Sequence, residues 1–201
     1  MAPTPVLAER RVTGILLAAG RGARFDPSGE RNKLLQTLPD GHAVAVAAAS
    51  SLLVMLPSVV AVVRPGADAL AAQLQQAGCE VTVCIDAEQG MAASLVHGLR
   101  CARESSGWLI ALADMPSVTP STIASLIDAI DNGADIAVPV YRGKRGNPVA
   151  FSRVHLARLL ALGGDEGARA LLKSFPVTEV QVDDPGIRYD IDTESDLRAM
   201  R

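Results

Sequence analysis

The stretch VTGILLAAGRGARFDPSGERNKLL, residues 12–35, joins an apolar run to a loop rich in glycine and positive charge. The run at 12–19 is short and is stopped by Gly20, which is typical of a strand buried on both faces of a parallel sheet. The loop then carries four cationic side chains, although the whole chain has a formal net charge of −3: Arg21, Arg24, Arg31 and Lys33. Such a local excess of cations predicts a binding site for an anion.

The composition narrows the class of protein. Of the 201 residues, 49% are hydrophobic and only 3% are aromatic, so the core is built mainly from alanine, valine, leucine and isoleucine. That composition fits helices layered on a buried sheet better than an aromatic-rich β-sandwich. The mildly acidic balance argues against general binding to nucleic acid or to a membrane surface, and we expect neither as a partner.

Further features bear on the compartment. The first residues, MAPTPVLAERR, lack the apolar segment of a secretory signal, and no apolar run approaches the ~20 residues that cross a bilayer. The cysteines, Cys79, Cys84 and Cys101, form no CxxC pair and show no metal-ligand spacing. We therefore expect a cytoplasmic protein with buried, inert thiols.

Strands and helices alternate strictly up to Pro139. Strand patterns occur at 12–19, 58–64, 79–84, 108–114 and 134–141, and helical patterns lie between them at 42–56, 67–78, 91–104 and 119–131. This order predicts an α/β fold of three layers, with a mostly parallel central sheet and helices on both faces. Thr119 and Pro120 are expected to begin the fourth helix as its cap and its first residue. Residues 1–11 are predicted to be an N-terminal extension and 12–201 a single domain.

The pattern changes after Pro139. NPVAFS is predicted to be a short strand, and helices are expected at 154–162 and 166–174. Strands are then predicted at 178–182 and 188–191, followed by a last helix capped by Thr193. Asp165 is expected to cap the helix at 166–174, with a catalytic acid as the alternative.

In an open α/β sheet, ligands bind beyond the carboxyl ends of the strands, so the glycine-rich loop after the first strand is the first candidate site. Small residues let backbone N–H groups approach a phosphate. The loop is not a Walker A motif, because the sole Gly-Lys pair, Gly143-Lys144, is followed by arginine, and Phe25 replaces the third glycine of the dinucleotide fingerprint. The alternative is that Gly20 and Gly22 merely turn the chain while the arginines face water.

Carboxylates end two other apolar segments. Asp114 follows WLIALA and is expected at the same sheet edge as the loop, where it could hold Mg²⁺ against phosphate oxygens or cap the next helix. Asp190 and Asp192 bracket Ile191 on the predicted late strand, so both should face one side and one of them could complete the metal site. A strand end followed by a helix cap is the alternative there.

Seven motifs in order resemble the MobA-like molybdenum cofactor nucleotidylyltransferases: LAAGRGARF with NKLL, GMAASL, LADMP, RGNPVAF, GDEGARALL and YDIDTESDL. The nearest branch is the cytidylyltransferase that makes molybdopterin cytosine dinucleotide. The resemblance spans about Val12 to Leu197 and implies a Rossmann-like nucleotidylyltransferase fold. It also implies that the phosphate of the molybdenum-loaded pterin attacks the α-phosphorus of CTP with Mg²⁺ as cofactor, releasing pyrophosphate, and that a molybdenum hydroxylase receives the product.

The resemblance also assigns roles to residues. Nucleotide binding falls to the loop and the signature lysine, namely Leu17, Ala18, Ala19, Gly20, Arg21, Gly22 and Lys33. Catalytic roles fall to Arg24, Lys33 and Asp114, metal binding to Asp114 and Asp192, and substrate binding to Asn147 and Arg169.

The chain departs from the family pattern in two places. The link DPSGERN before Lys33 is longer than usual, and Asn147 stands where the family commonly has histidine, which removes a titratable proton.

Three hypotheses about the function stay open. They are the cytidylyltransferase, a related enzyme that uses GTP or another acceptor, and a non-catalytic carrier that delivers the pterin. The carrier would have no need of a metal site.

Overall fold

A computed structural model describes residues 12–164 and 167–200. The predicted N-terminal extension, 1–11, and the predicted cap Asp165 lie outside these described residues. Within them, all strands join one eight-stranded sheet. No described helix is long and apolar enough to cross a membrane.

The sheet runs in the order β3-β2-β1-β4-β7-β5-β6, and β8 also pairs with β5. Strands β1 to β4 are parallel neighbours, as the alternation predicts. Strand β7 then lies antiparallel between β4 and β5, because the chain turns back after β5. The sheet is therefore mixed and mostly parallel. The strands are β1 Val12–Leu17, β2 Val59–Val63, β3 Glu80–Val83, β4 Gly107–Leu112, β5 Ile136–Tyr141, β6 Lys144–Arg145, β7 Val149–Ser152 and β8 Thr178–Gln181.

Helices cover both faces of the sheet. The helices are α1 Val44–Met55, α2 Asp68–Ala77, α3 Met91–Cys101, α4 Pro120–Asp131, α5 Leu156–Leu160, α6 Arg169–Ser174 and α7 Glu194–Ala199. Helices α1, α2 and α4 share one buried apolar cluster, and α3, α5 and α6 share the other. Alternate strand residues supply the two clusters: Leu16 and Leu109 face the first, whereas Ile15 and Ile110 face the second. This is the predicted three-layer α/β arrangement.

The predicted strand at 188–191 is wrong. Residues Pro185–Arg188 form a 3₁₀ turn, and the segment beyond it has no strand partner. The turn forms because the Asp184 side chain accepts a hydrogen bond from the Gly186 N–H at 2.8 Å. Local alternation predicted the side-chain directions here without revealing that the neighbouring backbone belongs to a turn.

Four smaller expectations also need correction. Thr119 occupies the cap position of α4, but its hydroxyl donates to Asp184 at 2.9 Å rather than capping its own helix. The predicted helices at 154–162 and 166–174 are shorter, at α5 and α6. Cys101 is exposed, whereas Cys79 and Cys84 are buried thiols as expected. Burial raises the pKa of the Cys79 thiol to about 11.

The cap of the last helix is confirmed. Thr193 accepts from the Asp196 N–H, and the Asp196 carboxylate accepts in return from the Thr193 N–H at 2.7 Å. This reciprocal pair satisfies backbone donors at the start of α7 and fixes the point where the chain leaves the carboxylates Asp190 and Asp192.

Candidate functional site

The glycine-rich loop is held by the sheet below it and by one aromatic anchor. Ala18 donates its N–H to the Val62 carbonyl at 2.9 Å, so the loop leaves β1 beside β2. Gly22 has φ +65, in the left-handed region that favours glycine, and its carbonyl accepts from Phe25 at 2.9 Å. Phe25 is 5% exposed and tethers the far end of the loop to the core. The residues between these ties, 19–24, all line the cavity described below.

Lys33 lies at the centre of the site. It opens a short 3₁₀ turn that is capped by Asn32 and anchored by buried Leu34. Its side chain is nearly buried, and its Nζ donates to Asp114 Oδ2 at 2.7 Å and to Asp192 Oδ1 at 2.9 Å. The lysine therefore joins the end of β4 to the C-terminal segment.

A backbone hydrogen bond brings three carboxylates together. The Ile191 N–H donates to the Asp114 carbonyl at 2.9 Å, which sets the segment after β8 beside the end of β4. Asp114, Asp190 and Asp192 each offer one oxygen, and these oxygens lie within 4.8 Å of one another. Both predicted members, Asp114 and Asp192, belong to the group, and the less favoured Asp190 joins them.

The pKa shifts follow from this crowding. Burial opposes the charge on Lys33, but the Asp114 and Asp192 carboxylates outweigh it and raise the lysine pKa. Burial likewise opposes ionisation of Asp192, yet the hydrogen bond and charge of Lys33, with Arg24, hold the pKa of Asp192 below its ordinary value. Loss of solvation, reinforced by the charge of Asp192, raises the pKa of Asp190. Asp190 is therefore the carboxylate of the cluster whose negative charge is least compensated by neighbouring cations.

Each cation of the loop region has an acidic partner from a distant segment. Arg21 pairs with Glu88, and Arg31 pairs with Glu194. Arg24 Nη1 lies 2.6 Å from Asp192 Oδ2, with 78% of its side chain exposed. Exposed pairs of this kind contribute little to stability, so these arginines can exchange their carboxylates for an incoming anion at low cost.

These residues surround a cavity of about 490 Å³. Of the residues given a role from the sequence, it is lined by Leu17, Ala19, Gly20, Arg21, Gly22, Arg24, Lys33, Asp114, Arg169 and Asp192. Ala18 is buried and is not among the lining residues. Asn147 is not brought to this cavity. It lines a separate small cavity with Leu52 and Met115, and its N–H donates to the Ile187 carbonyl at 2.9 Å.

Sequence reasoning missed the wall formed by the segment after β3. Glu88, Met91 and Ser94 line the cavity, and Ser94 is only 4% exposed. The position of this segment at the carboxyl end of a parallel strand could have indicated it, as could the motif GMAASL.

The carboxylate group fits a hard divalent cation. Asp114 Oδ1 is buried and has no hydrogen-bond partner among the described residues, although its other oxygen binds Lys33. A buried acceptor left without a donor is costly unless a ligand satisfies it. Clustered carboxylate oxygens are the ligands that Mg²⁺ and Mn²⁺ prefer, and both ions bind through a few such groups together with phosphate oxygens.

Comparison with known proteins agrees with this geometry. The MobA-like NTP transferase domain matches residues 14–181. The chain belongs to this family. It is a small-molecule nucleotidylyltransferase with the α/β fold of that group. The cavity described above lies at the carboxyl ends of β1, β3 and β4 of this fold.

Relatives of known name carry different activities. Purine catabolism protein PucB of Bacillus subtilis (strain 168) is 30% identical over 94% of this chain and 95% of its own length. Nicotine blue oxidoreductase of Paenarthrobacter nicotinovorans is 29% identical over 90% of this chain and 92% of its own. Molybdenum cofactor guanylyltransferase of Cupriavidus taiwanensis is 29% identical over 96% of this chain and 98% of its own length. The three relatives are therefore named for purine catabolism, for an oxidoreductase and for a guanylyltransferase.

A solved structure of similar fold contains a metal. Rv0371c from Mycobacterium tuberculosis H37Rv superposes with a TM-score of 0.81 at 32% identity, covering 94% of this chain and 96% of that one. The complex of Rv0371c with manganese superposes with a TM-score of 0.77 at 30% identity, covering 94% of this chain and 97% of that one.

Replacing Lys33 with alanine should destabilise the protein in a way that a divalent cation reverses. Without the ammonium, three neighbouring carboxylates repel one another. We expect the free energy of unfolding at pH 7 to fall by about 2 kcal/mol, less than for a fully buried pair because the carboxylates keep some water. The melting temperature should fall by roughly 4–8 °C. Millimolar MgCl₂ should recover much of this loss, while shifting the wild type less, in a thermal melt.

Lys173→Ala, at an exposed position on α6, is the matched control and should melt like the wild type in both buffers. If magnesium stabilises Lys33→Ala no more than it stabilises Lys173→Ala, the carboxylate group does not act as a cation site.

Proposed function

We propose that this protein transfers CMP from CTP to the phosphate of the molybdenum-pterin cofactor, forming molybdopterin cytosine dinucleotide and pyrophosphate. The observation that carries the proposal is the contact of Lys33 with Asp114 and Asp192 beside the glycine-rich loop. A phosphate-binding loop, a cation and a carboxylate group together suit the transfer of a nucleotidyl group between phosphates.

The loop would hold the triphosphate. Residues 20–22 line the cavity, where their backbone N–H groups would bind phosphate oxygens, and the cations Arg21, Arg24 and Lys33 line it as well. Each of these cations is paired with a carboxylate, so an incoming phosphate replaces a partner that is already anionic. Lys33 has a flexible stem and can turn its ammonium from the aspartates to a phosphate oxygen.

Asp114, Asp190 and Asp192 would hold Mg²⁺. The bound ion supplies positive charge where the leaving pyrophosphate develops negative charge. The buried, unpartnered Asp114 Oδ1 supports this assignment. Asp190 has a raised pKa, and a cation beside it favours its ionised form.

The acceptor needs no strong base, because a phosphate attacks already ionised. Among the described residues, none of the histidines lines the cavity. His97 bonds to Thr82 at 2.7 Å, and His155 is buried between Phe151 and Phe175. Catalysis then rests on alignment and on charge. Arg169 begins α6 and lines the cavity, and it would contact the acceptor phosphate.

The choice of CTP rests on Ala19. This residue lines the cavity and is 8% exposed. By the family resemblance, members that transfer guanylyl groups have LAGG where this chain has LAAG. The added methyl group limits how closely a purine can approach the backbone. GTP is the second candidate, favoured by the guanylyltransferase relative that matches nearly end to end. A carrier without catalysis is the third, and the carboxylate group argues against it.

Asp114→Asn should nearly abolish turnover while leaving the fold intact. The substitution removes a charged oxygen at the centre where charge develops. We expect the rate of pyrophosphate release to fall by roughly two to four decades at saturating magnesium. Release would be measured with CTP, the pterin cofactor and Mg²⁺, beside a circular dichroism spectrum of each variant.

Asp128→Asn, an exposed carboxylate on α4, is the control for the lost charge and should keep the wild-type rate. A near-wild-type rate for Asp114→Asn would show that Asp114 has no role in catalysis. Pyrophosphate release that does not depend on magnesium would show that the reaction does not use the metal.

The enzyme should prefer CTP over GTP by at least about tenfold in kcat/KM, because one badly placed methyl group costs ~1–3 kcal/mol. Equal concentrations of the four nucleoside triphosphates would compete for one acceptor, and mass spectrometry would identify the dinucleotide. Ala19→Gly should shrink the preference. A predominant guanine dinucleotide from the wild type would replace the cytidylyl assignment with the guanylyl one. If no dinucleotide formed from any of the four triphosphates, that result would favour the non-catalytic carrier.

A further inference from the structure

A further aspartate, Asp184, is buried away from the cavity, and both of its carboxylate oxygens accept hydrogen bonds. Only 2% of it is exposed. Its Oδ2 accepts from the Thr119 N–H at 2.9 Å, the Thr119 hydroxyl at 2.9 Å and the Thr122 hydroxyl at 2.7 Å, and its Oδ1 accepts from the Gly186 N–H at 2.8 Å. The carboxylate therefore fastens the chain after β8 to the start of α4, 65 residues earlier.

Asp184 begins a segment, residues 184–192, that we call the strap. The strap ends in the metal-binding candidates Asp190 and Asp192, and it belongs to no strand. Without a ladder of its own, its position depends on individual contacts with the body of the protein.

Those contacts are close ones. A Cβ at Gly186 would overlap the carbonyl oxygen of Ser117, and a Cβ at Gly146 would overlap that of Ile187. The strap therefore lies flush against the chain that follows Asp114 and against the hairpin before β7. The Ile191 N–H then reaches the Asp114 carbonyl at 2.9 Å.

The two ends of the strap are anchored differently. At its far end, the Asp192 N–H donates to the half-buried Asp196 carboxylate at 3.1 Å. At its near end, Asp184 is buried, and its two oxygens accept four hydrogen bonds. A buried group held by four donors fixes position more strictly than a partly exposed cap does.

We propose that Asp184 is a positioning residue for the metal site: it sets the strap so that Asp190 and Asp192 face Asp114. The inference rests on the proposed function in taking these three aspartates as the ligands of a divalent cation. Asp184 touches neither the cavity nor the ligands' carboxylates, and it acts through the backbone between them.

Asp184→Asn is the direct test, because it keeps the shape and removes the charge. The amide NH₂ cannot accept a hydrogen bond, so whichever carboxylate oxygen it replaces leaves a backbone N–H, that of Gly186 or that of Thr119, without its acceptor. Altering a residue that orients a metal ligand typically lowers the metal affinity by about 10- to 100-fold. We therefore expect Asp184→Asn to bind Mn²⁺ at least about tenfold more weakly than the wild type. Asp183→Asn removes the neighbouring exposed carboxylate and is the control, with wild-type affinity expected.

The probe is Mn²⁺ alone, without nucleotide or acceptor. The electron paramagnetic resonance signal of free Mn²⁺ would be titrated against each protein well below its melting temperature. A merely structural Asp184 would lower the melting temperature and leave the Mn²⁺ dissociation constant unchanged. That result, with the variant folded, overturns the inference and leaves the proposed function standing.

Thr122→Val supplies a milder variant in case Asp184→Asn does not fold. It deletes one of the four donors and preserves volume, so we expect a loss of about two- to fivefold in Mn²⁺ affinity. Wild-type affinity in folded Thr122→Val, with Asp184→Asn unfolded, also overturns the inference. If the wild type itself binds no Mn²⁺, the metal-dependent transfer fails first, and the inference fails with it.

Discussion

The ammonium of Lys33 holds the site together. It contacts Asp114 at the end of β4 and Asp192 on the strap, so one side chain joins three parts of the sequence. Without it, three carboxylates would crowd the same few ångströms of a partly desolvated edge. The charges that destabilise the cluster in the unliganded protein are the same ones that would bind a metal and a triphosphate. The site is thus kept assembled by an internal cation until its ligands arrive.

This arrangement explains the concentration of positive charge in a chain of net charge −3. Arg21, Arg24 and Lys33 are each neutralised by a carboxylate brought from far away in sequence. The protein need not be basic overall to bind a highly charged nucleotide, because binding exchanges one set of anionic partners for another. The pair of Arg21 with Glu88 is exposed on both sides, and Arg24 is itself exposed, so these two arginines change partners at little cost.

The first half of the fold could be predicted from the sequence, because it depends on local signals. Apolar runs and regular alternation indicate β1 to β4 and the helices between them. The glycine-rich loop and Asp114 then follow from the rule that parallel strands end at one edge. These are statements about neighbours in sequence, and the structure agrees with them.

The rest depends on contacts between distant residues. Nothing near Asp184 indicates that it binds Thr119, and nothing near Lys33 indicates that it sits between two aspartates. Asn147 was predicted to bind substrate, yet its N–H supports the strap through Ile187. The pairing of β7 between β4 and β5 is likewise a property of the folded sheet. A single sequence carries no record of these encounters, so turn and strand were confused at 188–191.

The most direct measurement is a crystal structure grown with Mn²⁺ and a CTP analogue that cannot release pyrophosphate. We expect an anomalous peak for manganese among the oxygens of Asp114, Asp190 and Asp192. We also expect Lys33 Nζ to have left the aspartates for a phosphate oxygen, with the triphosphate lying along the loop at 19–24. A Lys33 still bound to both aspartates, with nucleotide present and no manganese at the carboxylates, would contradict the proposed roles of these residues.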